Sequence, residues 1–475
     1  MRVSLGNCAS LSWMVAMSAK EDARKFTIDG SVYRDKPASV QLTRFLHRVL
    51  PLSLQRSFRD GAFRRVADGG AVVTAGVTAV FRPHLLTRFV AVTRRKEDHR
   101  YGPHPRQVIE VVKGCEESTI KGSSAGSGKL LVFVHGGAWG SGSTWMYRVM
   151  VDRLAKVGYT VANIGYRVYP DGDTDAQQVD DLAAAMKWMS ANLDLLGYDM
   201  DGGGAPEVYL MGHSSGAHIS LLYLIRRAER ERDTALRKHE IGRFWEAMPG
   251  SERATEDLEV EGLIGLAGVY DIYRHYLYES WRGVHEISPM KASHGGLLHT
   301  LFDYSHPFLL GGKARGPPPP SMSPHDNVPL GSTEDTPPES DASRSDALEK
   351  ELEESTAAAM KELQRTSDDG QNGPDAADDE KGNLVWDDRL RLGLKLPRTL
   401  LWHGTADVTV PFSQTTEAAA ALRAIGVNIT TCFAHGGHHF DPVGQLMFSE
   451  DSVVEQAINS FTAAGPSEEA KRRQE

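Results

Sequence analysis

The sequence predicts an α/β protein: a mostly parallel β-sheet with helices on both faces. Short apolar runs read as buried strands, segments with helical spacing lie between them, and the turns joining the two are brief. In order, the strand-like runs are "KLLVFV" (129–134), "YTVANIGY" (159–166), "EVYLMG" (207–212), "EGLIGLAGVY" (261–270), "PRTLLWHG" (397–404) and "VNITTCFAHG" (427–436). Helical spacing falls between them. "TWMYRVMVDRLAKVG" follows the first run, and "DAQQVDDLAAAMKWMSANL" the second, with Val179, Leu182, Ala183, Met186 and Met189 on one face. "AHISLLYLI", "SQTTEAAAALRAIG" and "SEDSVVEQAINSFTAA" complete the alternation.

The chain has 475 residues and a net charge of −10, which argues against nucleic acid as a general partner. That charge sits in one place. Residues 313–382 hold 17 acidic and 7 basic side chains, so the rest of the chain is balanced. The same stretch is rich in Pro, Ser, Asp and Gly and cannot bury enough apolar area to offset its ordering entropy. It is expected to be a disordered acidic insertion, with a solvated helix over 345–364. The resulting map has an N-terminal extension at 1–100 and a first part of the α/β domain at 101–312. The insertion at 313–382, a second part at 383–463 and a tail at 464–475 follow. Residues 271–312, rich in Tyr, His, Trp and Phe, read as folded.

Cys8, Cys115 and Cys432 make no disulfide framework and no CxxC pair. The first 25 residues carry an Arg ahead of a short apolar patch, the marks of a signal or transit peptide in weak form. The favoured location is intracellular, cytoplasmic or on the cytoplasmic face of an endomembrane. An apolar run over 69–92 is broken by Arg82, Pro83, His84 and Arg88, so it reads as a buried or membrane-surface segment and not as a span.

Chemistry enters at "GHSSG" (212–216). Ser214 lies between a strand and a helix, flanked by Gly212 and Gly216, which let the two elements approach while the serine takes a strained backbone angle. A nucleophilic serine needs a base, and the base an orienting acid. Asp407 follows a strand in "HGTADVTVP", and "HGGHHFDP" supplies histidines 31 and 32 residues on. The order Ser, Asp, His is that of the α/β-hydrolases. His435, His438, His439 and Asp441 could instead form a metal cluster, but a serine elsewhere already accounts for one histidine. "VHGGAWG" (134–140) places Gly136 and Gly137 where backbone amides, with that of Ser215, would hold an oxyanion. No metal or organic cofactor is implied.

With these motifs in hand, the chain resembles the esterases of the isoprenylcysteine methylesterase-like group, kin to the hormone-sensitive-lipase and arylformamidase families. The resemblance rests on "YGPHPRQVIEVV", "VHGGAWG", "NIGYRVYP", "YLMGHSSGAH", "RGVHEISPM", "HGTADVTVP" and "GGHHFDP". It implies a serine carboxylesterase acting on a small-molecule ester, with a prenylcysteine methyl ester as one substrate class. Ser214, Asp407 and His439 would form its triad. The group's G-x-x-H-x-D-P pattern selects His439, and a looser habit of the superfamily leaves His438 as the alternative register. An arylformamidase-type amidase and a silent ligand receptor on the same fold are the rival readings.

Overall fold

The computed structural model describes residues 38–114, 128–172, 175–198, 205–241, 258–296, 312–313, 385–386 and 396–464. The acidic insertion lies outside them apart from Lys313, as do the segment read as a helix over 345–364, Cys8, Cys115 and the first 25 residues.

Four helices come first: α1 (Ala38–Val49), α2 (Leu52–Ser57), α3 (Phe63–Phe81) and α4 (Pro83–Arg95), with a π-helical turn at Phe58–Ala62. Pro83, which suits the first turn of a helix but not its interior, opens α4 and ends α3. The sheet begins at β1 (Glu97–Arg100), a few residues ahead of the boundary read from the sequence, and continues with β2 (Val108–Val112) and β3 (Lys129–Val134). Then follow α5 (Arg148–Lys156), β4 (Thr160–Ile164), α6 (Asp175–Ala191), β5 (Glu207–His213), α7 (Ser215–Ile241) and β6 (Val260–Leu266). Beyond them lie α8 (Ile272–Arg282), the single turn α9 (Met290–Ser293), β7 (Gly312–Lys313) and β8 (Val385–Trp386). The chain ends with β9 (Arg398–Gly404), α10 (Ser413–Ala424), β10 (Ile429–Ala434), α11 (Asp441–Phe448) and α12 (Val453–Ala463).

Eight strands form one sheet in the order β1-β2-β4-β3-β5-β6-β9-β10. Strands β1 and β2 run antiparallel and the six that follow are mutually parallel. Strand alternation sends neighbouring side chains to opposite faces, which is why the central runs are apolar throughout. Leu130, Val132 and Val134 of β3 pack with Val179, Leu182 and Met186 of α6 and with Ala217 and Leu221 of α7. Leu131 and Phe133 of the same strand pack on the other face with Met150 and Leu154 of α5, Leu446 of α11 and Ile458 of α12. The core is thus two layers on one sheet, as both-sided burial of parallel strands requires.

Two readings need adjusting. "TWMYRVMVDRLAKVG" begins with a tight 3-10 turn at Thr144–Tyr147 before α5 starts. The helix after Ser214 runs 27 residues, far past the apolar stretch that suggested it. The short β7 and β8 form an antiparallel pair of their own, Gly312 opposite Trp386 and Lys313 opposite Val385.

Candidate active site

Strand β5 delivers Ser214. At its end the chain turns directly into α7, and Ser214 sits at the corner with φ +53°, a left-handed value that costs a non-glycine residue free energy. The flanking glycines are demanded by contact. A Cβ on Gly216 would stand 2.2 Å from the Val134 carbonyl oxygen, and one on Gly212 would stand 2.5 Å from the Ala217 backbone. Strand and helix therefore meet more closely than any other residue permits, and Ser214 projects at the N-terminus of α7, where the helix field favours negative charge.

His439 lies in the loop before α11 and Asp407 in the loop after β9. Their geometry is a relay of three buried groups. Ser214 Oγ donates to His439 Nε2 across 3.0 Å, and His439 Nδ1 donates to Asp407 Oδ2 across 2.8 Å. The remaining Asp407 oxygen accepts the backbone N–H groups of Thr409 (2.8 Å) and Val410 (2.9 Å). Burial alone would push the Asp407 carboxyl up. Hydrogen bonds from His403 and His439 outweigh it and hold the group well below the usual carboxylate range, so Asp407 is ionised at any working pH. His438 is not seated on the serine: its ring Nδ1 meets the Ala406 carbonyl at 3.1 Å, its amide donates to Asp441 Oδ2 at 2.7 Å, and it is exposed. His439 and Asp441 thus serve different partners, and among the described residues no group of three or more His, Cys, Asp or Glu is placed to hold a metal ion.

The glycine turn after β3 lies against the corner, where a Cβ on Gly136 would stand 2.9 Å from Ser214 Cβ. Gly137, at φ +143°, and the left-handed Ala138 and Trp139 fold the turn back on itself. Of the three amides assigned to the oxyanion from sequence, that of Gly136 is directed elsewhere, donating to the Tyr147 hydroxyl at 3.3 Å. Tyr147 lies in the 3-10 turn eleven residues on, and no signal in the glycine motif announces it.

Tyr147 belongs to a brace the sequence reading missed. Its hydroxyl meets His213 Nδ1 at 3.3 Å, and His213 Nε2 donates to the His439 carbonyl at 3.1 Å. His213 thereby ties the nucleophile strand to the histidine loop. Burial, with the His439 imidazole as a lesser contributor, pushes its pKa down to about 3, so it serves as a neutral imidazole. Its position inside "GHSSG" was the available signal. Helix α8, from the aromatic segment 271–312, clamps the acid loop. The Tyr278 hydroxyl donates to the Val408 carbonyl (2.9 Å) and the Arg282 guanidinium to that of Thr409 (3.1 Å). Asp271 caps this helix by accepting the Arg274 amide, and Gly283, at φ +72°, ends it.

A mostly parallel eight-stranded sheet with a serine at the β5–α7 corner, an acid after β9 and a histidine after β10 defines an α/β-hydrolase. Part of the chain is similar to esterases of that fold. Its residues 120–292 match the family model BD-FAE. It is similar to a probable isoprenylcysteine alpha-carbonyl methylesterase, ICMEL2, of Arabidopsis thaliana, at 34% identity over 131 residues. That match covers 28% of each chain. It is also similar to the isoprenylcysteine alpha-carbonyl methylesterase ICME of the same plant, at 26% over 174 residues, covering 37% of this chain and 34% of that one. The matched stretch spans about a third of the length of these relatives. Among solved structures, esterase B of Lactobacillus rhamnosis superposes with a TM-score of 0.48 at 15% identity, covering 85% of this chain and all of that one.

Proposed function

We propose that the chain is a serine carboxylesterase that works through an acyl-enzyme. The observation that carries this is the unbroken relay from Ser214 Oγ through His439 to the ionised Asp407, at 3.0 and 2.8 Å. In this scheme the His439 imidazole, holding its proton on Nδ1, accepts the Ser214 proton at Nε2 as Oγ attacks the ester carbonyl. The imidazolium formed is stabilised by Asp407, and its Nε2–H then protonates the departing alkoxide. Water, deprotonated by the same nitrogen, cleaves the acyl-serine and restores the enzyme.

The tetrahedral oxyanion is held by the amides of Gly137 and Ser215. Each such donor is typically worth about 10²–10³-fold in turnover. Only the backbone of Ser215 takes part in this role. The names of the relatives make a prenylcysteine methyl ester the substrate class to try first.

The test is a panel of methyl esters and p-nitrophenyl esters, with an N-formyl amide beside them, on wild type and Ser214→Ala. We expect ester turnover and fluorophosphonate labelling in wild type, and neither in the variant. Undiminished ester turnover in Ser214→Ala would remove Ser214 as nucleophile. Turnover of the N-formyl amide alone would make the protein an amidase.

A further inference from the structure

The four N-terminal helices leave an apolar surface outward. Fifteen of the twenty large apolar side chains that stand exposed among the described residues fall between Leu42 and Val90. They are patterned, not scattered. On α1, Leu42, Phe45, Leu46 and Val49 recur at helical spacing, exposed by 57, 60, 40 and 54%. On α3, Val66, Val73, Val77 and Val80 form a single stripe, exposed by 59, 66, 52 and 76%. On α4, Leu86 and Val90 are also exposed, while Leu85 and Val92 of the same helix are buried. The helices are therefore packed by their other sides. The Thr43 hydroxyl donates to the Arg282 carbonyl at 2.7 Å, Asp68 accepts the Gly142 amide at 3.0 Å, and the Arg88 guanidinium reaches the Met447 carbonyl at 3.1 Å. The apolar stripes are what is left over.

The charge of this segment points to the occupant. Residues 38–95 hold ten arginines and no lysine against two aspartates, in a chain whose net charge is −10. Arg48, Arg65, Arg82 and Arg94 are exposed among the apolar stripes. A face with valine, leucine and phenylalanine at its centre and arginine around them is the chemistry of an amphipathic surface that lies in an anionic lipid interface. No helix among the described residues is long and apolar enough to cross a membrane.

The face also borders the site. The Arg82 guanidinium lies 5.5 Å from the centre of the Phe448 ring, at the end of α11. At the start of that helix stands Phe440, 66% exposed, its ring 5.3 Å from that of His439. Exposed phenylalanines thus stand at both ends of α11, Phe448 beside Arg82 and Phe440 beside the histidine.

We propose that the outer face of α1, α3 and α4 seats on an anionic bilayer surface, which brings the mouth of the Ser214 site to the lipid. Only the clause about the mouth rests on the esterase reading, and a binding assay needs no turnover, so the two fail separately.

The experiment is co-sedimentation of the full chain with vesicles of phosphatidylcholine alone or mixed with phosphatidylserine, at low and high salt. The variants are Val73→Asp/Val77→Asp and Arg48→Glu/Arg65→Glu, with melting temperature and hydrolysis of a soluble short-chain ester measured alongside. Wild type should bind the mixed vesicles and lose binding as salt rises. Each double variant should bind about tenfold less or weaker still, with melting and soluble-ester turnover unchanged. Failure of wild type to bind mixed vesicles overturns the proposal. So does undiminished binding by both folded variants. If wild type is a dimer that binds no vesicles and Val73→Asp/Val77→Asp makes it a monomer, the face belongs to a second copy of the chain.

Discussion

His403 Nε2 lies 3.2 Å from Asp407 Oδ2, the same carboxylate oxygen that accepts the hydrogen bond from His439 Nδ1. The His403 ring is fully buried, its Nε2 also meets the Val410 carbonyl at 3.0 Å, and its Nδ1 meets the Thr415 hydroxyl at 2.7 Å. Asp407 therefore has four donors on two oxygens and no freedom to turn.

His403→Leu should cost kcat/KM about 10- to 100-fold, the worth of a buried hydrogen bond to a charged group at about 1.5–3 kcal/mol. A second readout separates positioning from mere packing. Because the folded pKa of Asp407 is depressed, its contribution to stability is present above the pKa of the unfolded chain and is lost as pH falls. Without His403 the folded pKa rises, the contribution shrinks, and the midpoint of acid unfolding should move to higher pH. A variant with the wild-type acid midpoint and wild-type kcat/KM would show that Asp407 is held without His403.

At the nucleophile corner, the left-handed angle of Ser214 makes glycine and alanine unequal replacements. Both should abolish turnover. Ser214→Gly should nevertheless be more stable than Ser214→Ala by about 1 kcal/mol, because alanine keeps the Cβ strain that glycine relieves. Equal denaturant midpoints would mean that the corner carries no strain.

The two adjacent histidines should behave oppositely. His439→Ala removes the proposed general base and should lower kcat by about 10²–10⁴-fold. His438→Ala, whose ring is exposed and bonded to the Ala406 carbonyl, should stay within about twofold of wild type. The reverse pattern in kcat would transfer the base to His438.

Glu279 on α8 should give stability a neutral-pH slope. Its side chain is buried, with the Ser288 hydroxyl donating to Oε1 at 2.8 Å and His275 Nε2 3.8 Å away. Burial pushes its pKa from 4.5 up to about 7, against smaller opposing effects of Ser288 and Arg282. A folded pKa above the unfolded one means that the folded state holds the extra proton. Its stabilisation is complete below pH 4.5 and is lost as pH rises through 7. The loss amounts to roughly 3 kcal/mol. Glu279→Gln, which keeps a neutral side chain throughout, should remove that slope when its denaturant midpoints are compared with those of wild type between pH 5 and pH 8. Parallel curves for the two proteins would show that Glu279 is ionised in the folded state.

What could be read from sequence was what repeats locally. The buried parallel strands announced themselves as unbroken apolar runs, and "GHSSG" announced its corner because no other residue fits where Gly212 and Gly216 stand. Asp407 and a pair of adjacent histidines were legible as turn residues at the right order and spacing, and the family pattern preferred His439 over His438. The roles that escaped depend on distant contacts. Tyr147 takes the Gly136 amide from an adjoining turn, and His213 reaches across 226 positions to the His439 carbonyl. His403 stood one turn ahead of Asp407 in "HGTAD", yet only the fold shows that its ring points back at the carboxylate. The stripe of Leu42, Phe45, Leu46 and Val49 was also visible as spacing. Which way it faces was not, because only the fold shows Thr43 of the same helix bonded to the Arg282 carbonyl.

The paired β7 and β8 have a consequence for how this protein can change. Gly312 and Trp386 face each other across a ladder, so the 71 residues between Lys313 and Val385 start and finish at one spot. Ends held together decouple what hangs between them from what lies on either side, since doubling the length of such a loop costs only about 0.6 kcal/mol. Ser214 lies upstream of that spot, and Asp407 and His439 downstream. The chain thus has a socket, where sequence can be lengthened, trimmed or exchanged for another module while the three reacting side chains keep their spacing.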